Sequence, residues 1–130
     1  MRAVYVAGPL TKGDVLRNIH DALAVGSAVR DAGFAPFLPH LCAFWEIAYP
    51  ASYERWMAID FEMLRRMDCL LRIPGESAGA DREVAFAQEH GIPVFHGIGA
   101  LLEAREDEWA GGFRLMAGGA EAHFRAPPEE

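Results

Sequence analysis

The sequence predicts an α/β domain, an open parallel sheet of roughly four to five strands with helices on both faces. Three features carry that expectation. Short β-branched and aromatic runs alternate with longer stretches whose apolar residues recur at helical spacing, the signature of repeated β-α units. Glycine or proline marks most changes from one pattern to the other. The 130 residues, 52% of them hydrophobic, show no internal repeat and no linker before residue 110, so one domain of ordinary size accounts for 1–110.

Arg2–Ala7 (R-A-V-Y-V-A) reads as the first strand, closed by Gly8-Pro9. Residues 14–31 carry Leu16, Ile19, Leu23 and Val29 at near-helical spacing and end at Gly33. Phe34–Leu38 is a second strand, cut off by Pro39. The aromatic-rich His40–Ser52 is expected as a loop or broken helix, and Ser52 stands where it caps a helix over Tyr53–Met67. Cys69–Ile73 is a third strand, Pro74–Gly79 a tight polar loop, and Ala80–His90 a third helix closed by Gly91. Pro93–Phe95 is a fourth strand and Gly97–Trp109 a fourth helix. After Ala110 the glycine pairs at 111–112 and 118–119 and the closing P-P-E-E predict a tail over 111–130, either flexible or docked on a neighbouring subunit.

Charge narrows the partners. Twelve basic against 19 acidic residues give a net charge of −7, and Lys12 is the single lysine. A nucleic-acid polymer needs a basic field to bind its phosphates, so that class of partner is excluded, whereas a small anionic ligand needs only one local positive site. Cys42 and Cys69 lack C-x-x-C spacing, and the five histidines are scattered, so neither a metal nor another cofactor is expected. No apolar run approaches the ~20 residues of a membrane span and no signal peptide opens the chain, which together lead to the expectation of a cytoplasmic protein without a membrane partner.

In open α/β sheets, ligands sit beyond the carboxyl ends of the strands where the strand order switches. That rule selects residues 8–13, 39–52 and 74–83. The Pro74–Glu83 stretch is a glycine-bearing turn running into a helix, with Ser77 offering a hydroxyl and Gly79 permitting close approach. It suits an anion, but equally suits a plain turn and helix cap. Glu83 is expected in the first turn of the third helix. Asp60 lies mid-helix among Trp56, Met57, Phe61, Met63 and Leu64; burial on that apolar stripe should push its pKa upward, as a proton donor near neutrality needs. The alternative is a structural aspartate bonded to backbone. Tyr5 is either core packing or part of the site, and Gly8 allows a ligand close to the strand end. Lys12 is either a phosphate contact or a solvated loop charge. His40, Phe44, Trp45, Tyr49, Tyr53 and Trp56 form a dense aromatic set that suits either a planar base or a subunit contact.

In order along the chain, Tyr5-Val6-Ala7-Gly8-Pro9, helical Asp60, and Ser77-Ala78-Gly79-Ala80-Asp81-Arg82-Glu83 resemble the nucleoside 2-deoxyribosyltransferase superfamily, which includes the deoxynucleoside 5′-monophosphate N-glycosidases. The resemblance spans roughly residues 3–95. The Pro39-His40-Leu41, Phe44-Trp45 and Pro74-Gly75-Glu76-Ser77 pieces resemble its small bacterial and phage members. The resemblance implies a flavodoxin-like (Rossmann-like) fold. It also implies Glu83 as nucleophile toward the anomeric carbon, Asp60 as the acid assisting the leaving base, and Tyr5 beside the nucleophile. Gly8 would stand at the pocket floor and Ser77 at the 5′-phosphate of the monophosphate hydrolases, so Ser77 and the Gly79 turn are expected to hold the sugar-phosphate end. Two carboxyls flanking a glycosidic bond, about 5–5.5 Å apart, are what retaining cleavage requires. Val84-Ala85 stands where the family usually has leucine-glycine, and the loop after the first strand lacks the family's phosphate-gripping serine and arginine.

Together these readings give cleavage or transfer of the N-glycosidic bond of a nucleoside or nucleoside 5′-monophosphate through a covalent glycosyl-enzyme. The alternative is a non-catalytic nucleotide-binding module on the same fold. The substrate-binding residues would be Gly8, Pro9, Lys12, His40, Trp45, Tyr53, Trp56, Ser77 and Gly79. By resemblance, the protein is expected to form a homodimer or larger homo-oligomer.

Overall fold

The computed structural model describes residues 1–109. The predicted tail over 111–130 lies outside them. Four parallel strands, β1 (Ala3–Ala7), β2 (Ala35–Phe37), β3 (Cys69–Arg72) and β4 (Val94–His96), form one sheet in the order β2-β1-β3-β4. Val4 pairs with Pro36 on one side and Cys69 on the other, so β1 sits inside the sheet. The strand order reverses between β1 and β3, which places the switch point at the carboxyl ends of those two strands.

Alternation along the strands divides the core. Val4, Val6, Cys69 and Leu71 face α1 (Val15–Asp31), α5 (Ile98–Leu102) and α6 (Glu106–Trp109), where Ala22, Val29, Leu101 and Trp109 are buried against them. Tyr5, Ala7 and Leu70 face the opposite way, toward α3 (Tyr53–Leu64) and α4 (Ala78–Glu89), packing with Leu64, Ala80 and Ala87. The parallel sheet is covered on both faces, and its two inner strands are buried almost throughout, as the near-continuous apolar runs predict.

Several boundaries differ from the sequence expectation. His40–Ser52 folds into a 3-10 turn (Pro39–Leu41) followed by a seven-residue helix, α2 (Cys42–Ala48), none of whose residues is buried. Helix α3 starts where Ser52 predicts, with Ser52 Oγ accepting from the Arg55 N–H at 3.2 Å, but stops at Leu64 rather than Met67. The third predicted helix starts two residues early: Ser77 Oγ accepts from the Ala80 N–H at 3.1 Å and makes Ala78 the first helical residue. Glu83 therefore lies in the second turn of α4, not the first. The stretch 97–109 forms two short helices, because α5 closes at Glu103 and α6 begins only at Glu106.

Candidate active site

Beyond the carboxyl ends of β1 and β3 lies a cavity of about 770 Å³, walled by the loop after β1, by α2 and α3, and by the start of α4. That size accommodates a drug-sized ligand. Glu83 and Asp60 both line it, one from α4 and one from α3. Glu83 is 6% exposed, and the fully buried Tyr5 hydroxyl donates to its Oε2 from the middle of β1. The carboxyl is pulled two ways. Burial raises its pKa most and the Asp60 charge adds to that; the Tyr5 hydrogen bond and the Arg72 charge lower it, and the balance is a pKa of about 8.

Asp60 is pushed up to about 7 by burial. Tyr5 is held far above the usual phenol range, chiefly by burial and then by the charges of Glu83 and Asp60, so it remains a neutral O–H donor. The two carboxyls therefore titrate as an interacting pair near neutrality. Carboxylic acids shifted into that range inside a cleft are the chemistry expected of an acid–base or nucleophile pair.

His40 is 2% exposed and its Nε2 lies 3.0 Å from the Pro9 carbonyl. Burial lowers its pKa, so the ring is neutral, with the Nε2–H donating to Pro9 and an unprotonated Nδ1 that has no partner among the described residues. Gly8 lines the floor, and its lack of a side chain serves packing as well: a Cβ there would overlap the Ile73 side chain. Pro9 is absent from the wall; it anchors His40 through its carbonyl.

Lys12, Tyr53, Trp56, Ser77 and Gly79 all line the cavity. Trp45 does not. It is half exposed and meets Trp56 edge-on, with ring centroids 5.0 Å apart at 73°, so it supports the ring that does face the cavity. Phe44 and Tyr49 are exposed on the outer surface. Among the described residues, no three His, Cys, Asp or Glu side chains are grouped to hold a metal ion, and no helix is long and apolar enough to cross a membrane.

The profile of a family described as a domain of unknown function, DUF4406, matches residues 2–96. The chain belongs to that family. No curated protein matches it. Among solved structures, it is similar to a 2-deoxyribosyltransferase from the psychrotolerant bacterium Bacillus psychrosaccharolyticus, described as a biocatalyst for the synthesis of antiviral and antitumoral nucleosides. The two are 24% identical, with a TM-score of 0.52, over 72% of this chain and 70% of that one. This likeness shows a shared fold, the flavodoxin-like α/β sheet implied by the sequence resemblance.

Three polar residues of this DUF4406 domain shape the site without having been singled out in the sequence. Glu46 Oε2 accepts from the Trp56 indole N–H and from the Ala51 N–H at 2.9 Å, which fastens α2 to the start of α3. Arg72 ends β3 nearly buried; it donates to the Ile73 and Gly75 carbonyls and pairs with Asp81 at 3.2 Å. Glu76 lies 2.7 Å from the Lys12 ammonium across the cavity mouth. The available signals were an acid inside an aromatic run, a guanidinium closing an apolar strand and an acid beside the capping serine. Each identifies a charged residue but not the partner that gives it a role.

Proposed function

We propose that the protein cleaves or transfers the N-glycosidic bond of a nucleoside or nucleotide through a covalent glycosyl-enzyme intermediate. The observation that carries the reading is the pair of buried, raised-pKa carboxyls, Glu83 and Asp60, on facing walls of one cavity at the switch point, with Glu83 held by Tyr5. The active form has Glu83 ionised and Asp60 protonated. A Glu83 oxygen attacks the anomeric carbon; the carbon–nitrogen bond breaks, its electron pair moves to the base, and the base nitrogen takes the Asp60 proton. Water, deprotonated by the Asp60 carboxylate, then opens the ester to release free sugar. A second base attacking the same carbon would instead yield a new nucleoside.

The remaining wall residues have roles consistent with that pose. Trp56, edge-supported by Trp45, offers a face for the planar base, and Tyr53 stands beside the Gly79 turn. Ser77 keeps a hydroxyl proton to donate, because its oxygen accepts the cap hydrogen bond. The exposed apolar residues Phe44, Ile47 and Tyr49 around α2 support self-association, so a homodimer or larger homo-oligomer belongs to the same reading.

Chromatography of incubations with ribo- and deoxyribonucleosides and their 5′-monophosphates, with and without a competing free base, tests it. Wild-type protein is expected to release base and Glu83→Ala to release none; a new nucleoside formed from the added base identifies transfer. Release that survives Glu83→Ala overturns the nucleophile. Ligand binding without release by the wild type replaces the enzyme with a binding module.

A further inference from the structure

Lys12 in the cavity wall and the arginines of β3 and α4 are already engaged. Lys12 holds Glu76 at 2.7 Å, Arg72 holds Asp81 and two loop carbonyls, and Arg82 makes a two-pronged contact with Glu54 at 2.9 and 3.2 Å. Among the described residues of the wall, Lys12 is the one cation, against the carboxyls of Glu46, Asp60, Glu76 and Glu83. The Glu76 side chain is well exposed, but the backbone on either side of it is fixed. Its preceding residue, Gly75, is fixed at φ +120° with its carbonyl bound by Arg72 at 2.8 Å, and the next residue, Ser77, is fixed as the α4 cap.

We propose that Glu76 is a specificity-determining residue: by occupying the Lys12 ammonium beside Ser77 and Gly79, it makes the site select unphosphorylated nucleosides over their 5′-monophosphates. This rests on the glycosidic reading above, with the sugar's 5′ end taken to lie by Ser77 and Gly79 as the sequence resemblance implies; Lys12, Glu76, Ser77 and Gly79 line the same cavity. Both partners of the ion pair are well exposed, so the strength of their contact is not what discriminates. Discrimination comes from what a phosphate must do. To reach its one available cation it has to displace Glu76, and the displaced carboxylate then stays beside the incoming dianion in a wall that, among the described residues, offers no second cation to offset it. A neutral 5′-hydroxyl meets no such repulsion and has carboxylate and hydroxyl oxygens on hand to accept its proton.

Calorimetric titration of the full chain with each of the four 2′-deoxynucleosides and its 5′-monophosphate, at low ionic strength, tests the proposal. The wild type is expected to bind the best nucleoside at least about tenfold more tightly than its monophosphate. Glu76→Gln frees Lys12 and narrows that ratio by about fivefold or more. Adding Lys12→Met to Glu76→Gln removes the freed ammonium and widens the ratio again. A wild type that binds the monophosphate as tightly as the nucleoside, or a ratio unmoved by Glu76→Gln, overturns the assignment of Glu76 while the nucleoside reading stands. Failure of the wild type to bind either form overturns both.

Discussion

The Tyr5 hydroxyl donates to Glu83 from a fully buried position on the inner strand, so in the proposed reaction it acts through the carboxylate it holds. It opposes the burial and the Asp60 charge that together keep Glu83 protonated. With Asp60 near 7 and Glu83 near 8, Asp60 ionises first, and the productive arrangement, Glu83 ionised and Asp60 protonated, is the minority form of the singly protonated pair. The pH profile of kcat/KM is accordingly expected to be a narrow bell centred between those two values. In Tyr5→Phe the lost donor raises the Glu83 pKa, the productive form becomes rarer and the alkaline limb moves up. A hydrogen bond to a charged acceptor contributes about 1.5–3 kcal/mol, so the peak should fall about tenfold or more. A Tyr5→Phe profile superimposable on the wild type's would remove Tyr5 from the machinery.

The segment between β3 and α4 shows how an element is set by contacts on both sides of it. Arg72 binds the Ile73 and Gly75 carbonyls and Asp81, and Gly75 takes φ +120°, where a Cβ would also lie 2.6 Å from Pro9 Cγ. Gly75→Ala is therefore expected to lose about 1–3 kcal/mol of stability, read from urea unfolding, and to weaken ligand binding by moving Glu76 and Ser77. No loss of stability would mean that the loop relaxes freely. Much of this architecture was legible in the sequence, since strand alternation and turn residues are local signals. Asp60 was legible too, as an acid on an apolar stripe. Helix α2 leaves no periodic signal because none of its residues is buried, and α4 starts earlier than the turn-like look of Ser-Ala-Gly predicts because Ser77 caps it. Glu46, Arg72 and Glu76 are not legible for a different reason: each acts through a residue on another element.

At the scale of the whole molecule, the two site carboxyls set a pH dependence of folding. Ordinary carboxyls in the unfolded chain titrate near pH 4, whereas in the folded protein Asp60 titrates near 7 and Glu83 near 8. Between those limits the folded state binds more protons than the unfolded one, so stability falls as pH rises and the full loss is reached only above the Glu83 value. Buried, neutral His40 works in the other direction, but only below the ordinary histidine value of about 6.5, where the unfolded chain takes up the proton first. Glu54, held low by Arg82, acts at still lower pH. Over the window from about pH 6.5 to 8.5 the site pair leads the loss, and Cys42 and Cys69, whose thiols burial holds above the ordinary cysteine value, add to it in the same direction toward the alkaline end. Across it the wild-type Tm should drop by roughly 5 °C or more, and Glu83→Gln, which cannot ionise, should flatten the drop and melt higher than wild type at the alkaline end. A cavity-wall residue whose removal stabilises the fold marks a site built against stability, because the burial that makes Glu83 costly to ionise is also what positions it in the cavity wall. Equal melting curves for Glu83→Gln and wild type at pH 8.5 would show that Glu83 ionises in the folded protein without such a penalty.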